Sequence, residues 1–243
     1  MKKRIRVSGL LILILCVLTV TYASAEAIDG DPDIAFQTGL QDETPSGGGT
    51  RSRGSGITAS GTCGPQVSWT LDSDGLLTIS GSGAMGYYGM GKLPWNDWLN
   101  EIRDVVIQDG VTTVSSFAFS DCQNLSTVSL PDSITSIDRA AFQSTAITSM
   151  EIPGGVTVIA NSVFQQCRQL KSVTIPVSVT EITGSPFYYC IELTDVSYKG
   201  TKAQWQAVNI HDNDEQWDRL KKATIHCVDG DISPEGTTGT ITV

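Results

Sequence analysis

Leu125-Ser-Thr-Val-Ser-Leu-Pro131-Asp-Ser-Ile-Thr-Ser-Ile137-Asp-Arg-Ala-Ala-Phe142 is one turn of a motif that the chain goes on to repeat. Ile147-x-x-Met150-x-Ile152-Pro153 follows, with Val156-x-x-Ile159 and Val163-Phe164. Leu170-x-x-Val173-x-Ile175-Pro176 comes next, with Val179-x-x-Ile182 and Pro186-Phe187. Phe119, Phe142, Phe164 and Phe187 are 23, 22 and 23 residues apart. A fixed period of this length is the mark of stacked coils. Val128-Ser129-Leu130 alternates with period two, so it reads as a short strand with two side chains inward. Pro131 has no N–H to donate and ends the pairing. Ile134 to Ile137 is a second short extended run that returns on another side, and the Ala-Phe corner plugs the interior. One such coil cannot bury its apolar residues alone; stacked neighbours make the core continuous. The expected chain is mostly β with short helices, a solenoid of about 4–5 coils of roughly 23 residues.

The array fades at both ends, opening with Ile102-x-x-Val105-x-Ile107 and closing with Leu193-x-x-Val196-x-Tyr198. Its second unit departs from the others: Thr145 stands where they carry Cys, and the turn before Ile147 is one residue short. That bears on local geometry, not on the fold. Cys122, Cys167 and Cys190 share one repeat position and read as buried small residues stacked in a ladder. Cys63 and Cys227 sit at opposite ends of the array, too far apart for the ~7 Å Cα limit of a disulfide.

Composition bounds the function. The chain has 243 residues, with 16 Lys+Arg against 26 Asp+Glu and a formal net charge of −10. Nucleic-acid binding needs a basic stripe that displaces counterions, and this balance argues against it. With only His211 and His226 present, a His-rich metal site is nearly excluded. Residues 1–25 read as a secretory signal: Lys2, Lys3, Arg4 and Arg6, then the apolar Leu10 to Val20, then Ala23-Ser24-Ala25. The apolar run is short of the ~20 residues of a membrane span. No membrane insertion is expected once the signal is cleaved, and the chain is expected to be secreted or loosely surface-associated.

Residues 26–60, rich in Gly, Asp, Ser and Thr, read as a flexible linker. In an N-terminal cap over 61–100, Val67 to Leu71 and Leu76 to Ser80 form a hairpin about Asp72-Ser-Asp-Gly75. Repeats occupy 101–198. A C-terminal cap over 199–229 pairs a helix from Thr201 to Val208, capped by Thr201 with Trp205 inward, with a last strand at Ala223 to His226. Residues 230–243 are read as a disordered tail.

The L-x-x-L-x-L grammar with a nearby Cys or Asn is that of leucine-rich repeats. The chain resembles the BspA-like leucine-rich repeat family of bacterial surface and secreted proteins. The residues that carry the resemblance are Val128-Ser-Leu-Pro-Asp-Ser-Ile-Thr-Ser-Ile137 with Ala141-Phe142, and Phe119-Ser-Asp-Cys-Gln-Asn-Leu125. Thr62-Cys-Gly64, Val67-Ser-Trp-Thr-Leu71 and Gly75 to Met85, followed by Pro94-Trp95, resemble that family's N-terminal cap. Tyr198-Lys-Gly-Thr201, Ala203-Gln-Trp205 and Ala223-Thr-Ile-His226 resemble its C-terminal cap. The resemblance implies a right-handed leucine-rich-repeat solenoid used for adhesion or interaction at cell surfaces.

Chemistry is weakly signalled. Gly81-Ser-Gly83-Ala-Met-Gly86 fits a dinucleotide fingerprint, but no helix is expected after it to face a pyrophosphate. His226 and Cys227 are adjacent, which on a strand sends them to opposite faces rather than into a dyad. His211 lies in a polar loop. Asp212, Asp214 and Glu215 lack the order of a calcium loop, and no C-x-x-C marks a zinc site. No catalytic residue, metal or cofactor is expected. The candidate binding face is the outward row of the strand ladder: Thr127, Ser129, Ser149, Glu151, Ser172, Thr174, Asp195 and Ser197. Tyr87, Tyr88, Tyr188 and Tyr189 are further aromatic candidates. The expected function is non-covalent recognition of a protein or glycan outside the cell. The alternatives are a structural display scaffold in an envelope assembly and, remotely, a small hydrolase.

Overall fold

The computed structural model describes residues 56–89, 91–211 and 219–234. The expected signal, most of the expected linker and the last residues of the expected tail lie outside this range. The N-terminal strands are β1 (Ile57–Gly64), β2 (Val67–Asp72) and β3 (Leu76–Gly81), with the short β4 (Gly83–Ala84) after a corner. β1 pairs antiparallel with β2, and β2 with β3. The hairpin between β2 and β3 forms as its turn chemistry predicts: Asp72 Oδ1 accepts from the N–H groups of Asp74 and Leu76, and Gly75 takes φ +89°. β1 is a difference from the sequence reading, which put residues up to Ser60 in a linker. Gly, Ser and Thr dominate β1 because it is an outer strand, largely exposed, with Cys63 as its fully buried anchor.

Each later coil contributes a front strand and a back strand. These are β5 (Asp104–Ile107) with β6 (Val111–Val114), β7 (Thr127–Ser129) with β8 (Ser136–Ile137), and β9 (Ser149–Glu151) with β10 (Val158–Ile159). β11 (Ser172–Ile175) and β12 (Glu181–Thr183) follow. The C-terminal part holds β13 (Asp195–Tyr198), helix α1 (Lys202–Gln206), β14 (Asn209–His211), β15 (Thr224–Cys227) and β16 (Gly230–Ile232). α1 has the expected capping box: Thr201 Oγ1 accepts from Gln204 N–H, the Gln204 side chain accepts from Thr201 N–H, and Trp205 is buried. β16 corrects the sequence reading, which began a disordered tail at residue 230. It pairs antiparallel with β15 and covers that strand's outer edge.

A column of aromatic rings runs through the interior. Trp95, Phe119, Phe142, Phe164 and Phe187 stack face to face with centroids 5.7, 5.4, 5.9 and 5.6 Å apart. All five are fully buried. Trp95 is the first rung, and its indole N–H donates to Ala118 C=O at 2.9 Å. Beside the column sit the buried Cys122, Cys167 and Cys190. Cys167 and Cys190 donate to the carbonyls of Phe142 and Phe164, both at 3.0 Å. In the divergent coil the Thr145 hydroxyl donates to that same Phe142 carbonyl at 2.9 Å. Burial pushes the Cys122 thiol up to about 12 and the Cys167 thiol up to about 11, so both stay protonated.

The corner around the column is a backbone ladder of its own. Phe119 N–H bonds to Ala141 C=O, Phe142 N–H to Val163 C=O, and Phe164 N–H to Pro186 C=O. To make this corner, non-glycine residues take left-handed backbone angles at matching places: Asp121, Ser144, Gln166 and Tyr189, with φ of 59–63°. Such angles cost of order 1 kcal/mol each and persist because the stacked neighbours fix them.

The two sheets, by contrast, are both interrupted at one place. The front strands form two groups, β1-β2-β3-β5-β7 and β16-β15-β13-β11-β9, and the back strands form β4-β6-β8 and β10-β12-β14. The break falls at the coil whose turn is one residue short, Thr145 to Ile147 against Cys122 to Leu125. Losing one residue shifts the following strand along its axis and takes it out of register. The corner ladder and ring column pass through this coil without interruption.

Candidate functional site

The outward residues of the front strands are placed by register. Ser149, Ser172, Asp195 and Thr224 lie side by side in one row. Glu151, Thr174, Ser197 and His226 form the next. Their inward neighbours Met150, Val173, Val196 and Ile225 are buried, which fixes the alternation. Six of the eight candidate face residues therefore share one sheet. Thr127 and Ser129 are outward too, but they sit on β7 in the other sheet. The expected single surface is divided at the break.

At that break the structure opens a pocket of about 620 Å³. Val128, Leu130, Ile152, Pro153, Pro176 and Val177 supply its apolar lining, and Ser129, Asp132, Glu151, Ser178 and Lys199 its polar one. Val128 and Leu130 are half-buried, while the residues at their repeat positions (Val105, Met150, Val173 and Val196; Ile107, Ile152, Ile175 and Tyr198) are buried. Core residues are thus laid open where the ladder parts. Lys199 Nζ lies 2.6 Å from Glu151 Oε1, and both side chains are more than half exposed. A pair so exposed adds little stability.

A second cluster was not foreseen. His226 stands between two carboxylates, with Nε2 3.1 Å from Asp195 Oδ1 and Nδ1 3.0 Å from Asp231 Oδ1. The sequence reading placed His226 and Cys227 on opposite faces, but the partners of His226 are 31 residues upstream and on the unforeseen β16. The hydrogen bond to Asp195, then that to Asp231, raises the His226 pKa above its ordinary 6.5. The Thr194 hydroxyl, 2.6 Å away, and then His226 hold Asp195 below the usual carboxylate value. A raised histidine contributes stability that is complete below pH ~6.5 and is lost as pH rises through its folded pKa. A depressed carboxylate contributes above its unfolded pKa near 4 and loses this as pH falls. The clamp of β13, β15 and β16 is therefore tightest between roughly pH 4 and 6.5. We expect Asp195→Asn to bring the His226 pKa down toward the ordinary imidazole value, read by NMR titration of its ring protons. No change would mean that Asp195 does not hold the imidazolium.

The remaining candidates are scattered. Gly81 to Gly86 is a strand end, a corner and the two-residue β4, with no helix opening on it. Tyr87 is 78% exposed, whereas Tyr88 packs against the core. Tyr188 and Tyr189 meet edge to face at 4.6 Å, half-buried. His211 lies on β14, 3.4 Å from Glu181, and among the described residues no cysteine or serine nucleophile is bonded to it. Among the described residues no group of three or more His, Cys, Asp or Glu side chains is placed to hold a metal. No helix among them is long and apolar enough to cross a membrane.

Residues 97–209 match the family model of the BspA type leucine-rich repeat region, in 6 copies. The array is a BspA-type leucine-rich repeat. The match spans the coils from Asp97 to Asn209, so the repeat type covers the front rows from β5 to β13 and stops before β15. A leucine-rich repeat protein of Eubacterium ventriosum is 28% identical, with 58% of this chain matched to 44% of that one and a TM-score of 0.49. A leucine-rich cell surface protein of Faecalibacterium prausnitzii is 25% identical, with 59% of this chain matched to 40% of that one and a TM-score of 0.42. A leucine-rich repeat protein of T. pallidum is 23% identical, with 53% of this chain matched to 67% of that one and a TM-score of 0.42. The chain spans less than half the length of the first two. No curated protein matches it.

Proposed function

We propose that the chain is an exported recognition module that binds a macromolecule outside the cell, without catalysis, on its front sheet and the adjoining pocket. The observation that carries this reading is the pocket at the break, where Val128 and Leu130, core residues by repeat position, are open to solvent beside a row of hydrogen-bonding side chains. Solenoids present broad faces of this kind. Ser, Thr and Glu rows supply polar contacts, and the apolar pocket supplies the desolvated centre that such rows lack. The N-terminal Lys/Arg, Leu-rich and Ala-Ser-Ala pattern supports export, and the surface-protein name of the Faecalibacterium prausnitzii relative agrees with it. A protein is the favoured ligand over a glycan, because the aliphatic side chains of Val128, Leu130, Ile152 and Val177 share the lining with the polar ones.

The test is surface binding of the purified chain to extracellular-matrix proteins, mucins and cell-wall polymers. Glu151→Lys, Thr174→Lys and Ser197→Lys each place a charge on the second outward row, away from the core. Saturable binding to one class, weakened about tenfold or more by these variants, is the expected result. Absence of saturable binding to every class, or binding indifferent to all three variants, would remove the recognition reading from this face.

A further inference from the structure

The front ladder is interrupted once among the described residues, and its two ends face each other across the pocket. β7 is bonded only to β5, and β9 only to β11. No hydrogen bond joins β7 to β9 among the described residues. Ile152 N–H donates to Thr174 C=O, on the β11 side. Alternate residues of a strand send their backbone groups to opposite sides. The N–H and C=O groups of Ser149 and Glu151 are therefore directed away from β11 and into the break. An open strand edge beside exposed apolar surface is a template for another strand.

We propose that this break is a docking site for an extended, basic segment of a partner polypeptide, which adds as a strand to the β9 edge. The inference rests on the recognition reading above and names its partner. Only a polypeptide repeats N–H and C=O groups at the spacing that an open strand edge presents. Its alternate side chains turn inward onto Val128 and Leu130, which the described residues leave half-buried. The charge of the segment follows from the rim. Among the described residues, Asp132 and Glu151 line the pocket, Lys199 is the one cation that does so, and Lys199 is already paired with Glu151. No described cation is paired with Asp132, on a chain whose formal charge is −10. A Lys or Arg on the incoming strand answers it.

The test uses the full chain and a fluorescent library of heptapeptides that alternate Val or Ile with Lys, Arg or Thr. Saturable binding of Lys- and Arg-bearing members is expected, weakened by salt and by Asp132→Asn. Methylating the backbone nitrogens of one alternating set should weaken binding about tenfold per lost bond, while methylating the other set should not. Inserting one residue between Ala146 and Ile147 restores the turn length of the other coils and lets β9 pair with β7. That variant should keep its circular dichroism, melt higher and lose peptide binding. Should it fail to fold, Val177→Lys replaces it: Val177 is 52% exposed on the pocket rim, and a cation there should repel the same peptides at least fivefold. Strand addition is overturned by failure of the whole library to bind, by indifference to both methylation sets, or by undiminished binding to the insertion variant. Preference of the pocket for oligosaccharides over the peptides also overturns it. Macromolecular binding that is lost in Thr174→Lys yet survives the insertion would leave the recognition reading standing and remove only strand addition.

Discussion

Phe142→Ala is expected to lower stability by about 3–5 kcal/mol and to split a single unfolding transition into two. The first effect follows from burial. Phe142 is fully buried, and its ring is stacked between Phe119 at 5.4 Å and Phe164 at 5.9 Å. Truncation leaves a cavity that rigid coils on both sides cannot close, and it removes two ring contacts at once. The second effect follows from where the residue sits. A solenoid holds together through the interfaces between neighbouring coils. At most coils, front-strand pairing, back-strand pairing, corner hydrogen bonds and stacked side chains share that work. Between the coil of β7 and β8 and the coil of β9 and β10, neither sheet is continuous. What remains there is the corner ladder, the ring column and the packed aliphatic side chains, and Phe142 belongs to the first two. Phe119→Ala is the control. It removes an equally buried ring, stacked between Trp95 and Phe142, but β5 and β6 stay bonded to β3 and β4 on one side and to β7 and β8 on the other. Urea titration followed by tryptophan fluorescence and far-UV dichroism separates the cases. Phe119→Ala should lose similar stability with coincident transitions, whereas the two probes should diverge for Phe142→Ala. In a background with Trp205 and Trp217 replaced by Phe, tryptophan emission reports the N-terminal half, because Trp69, Trp95 and Trp98 cluster there. Coincident transitions for both variants would show that the sheet break does not weaken the junction.

Much of this architecture was legible because it is periodic. Phenylalanines 22 or 23 residues apart are a through-chain signal, and the column they form is the physical cause of that period. Trp95 escaped this reading as a rung because its ring differs and it stands 24 residues before Phe119, inside what looked like cap sequence. The short turn at Thr145 was visible, but its consequence was not. Whether strands pair depends on register between chain segments, and one missing residue could have been absorbed in the turn. The left-handed corner angles were hidden for a related reason. Glycine announces such angles, and the corner uses Asp121, Ser144, Gln166 and Tyr189 instead. The candidate face was legible as outward positions and is arranged as such from β9 to β13. Its most distinctive parts, the pocket and the His226 clamp, join residues from separate coils and from β16, so no local pattern could display them.

Gly81→Ala should cost at least about 3 kcal/mol and disturb the join between the N-terminal strands and the first coil, whereas Gly83→Ala, two residues on, should cost only about 1–3 kcal/mol. Both glycines belong to the stretch that resembles a nucleotide fingerprint, so the comparison also decides why those glycines are there. Gly81 has φ +123° and Gly83 has φ +91°, angles that L side chains rarely adopt. Both substitutions therefore carry a backbone penalty. They differ in what a Cβ would meet. At Gly81 it would lie 2.0 Å from the carbonyl oxygen of Gln66, a backbone atom that cannot rotate away. At Gly83 nothing lies within 4 Å. The crowding at Gly81 has a structural purpose. Val67 pairs with Gly81 at the end of the hairpin, Ser82 N–H bonds to Gln66 C=O, and Gly110 of the first coil packs against the Gly81 carbonyl. Gly83 N–H in turn bonds to Gly110 C=O at 2.9 Å. Three backbones meet at this corner, and side chains are left out so that they can. The penalty at Gly81 should appear as a lower urea midpoint and as faster amide exchange in β2, β3 and β5, with Gly83→Ala showing a smaller midpoint shift and little change in exchange. Equal losses at the two positions would mean that backbone angle alone, not close approach, selects glycine there. Neither substitution should alter binding at the front-sheet pocket, which lies on later coils.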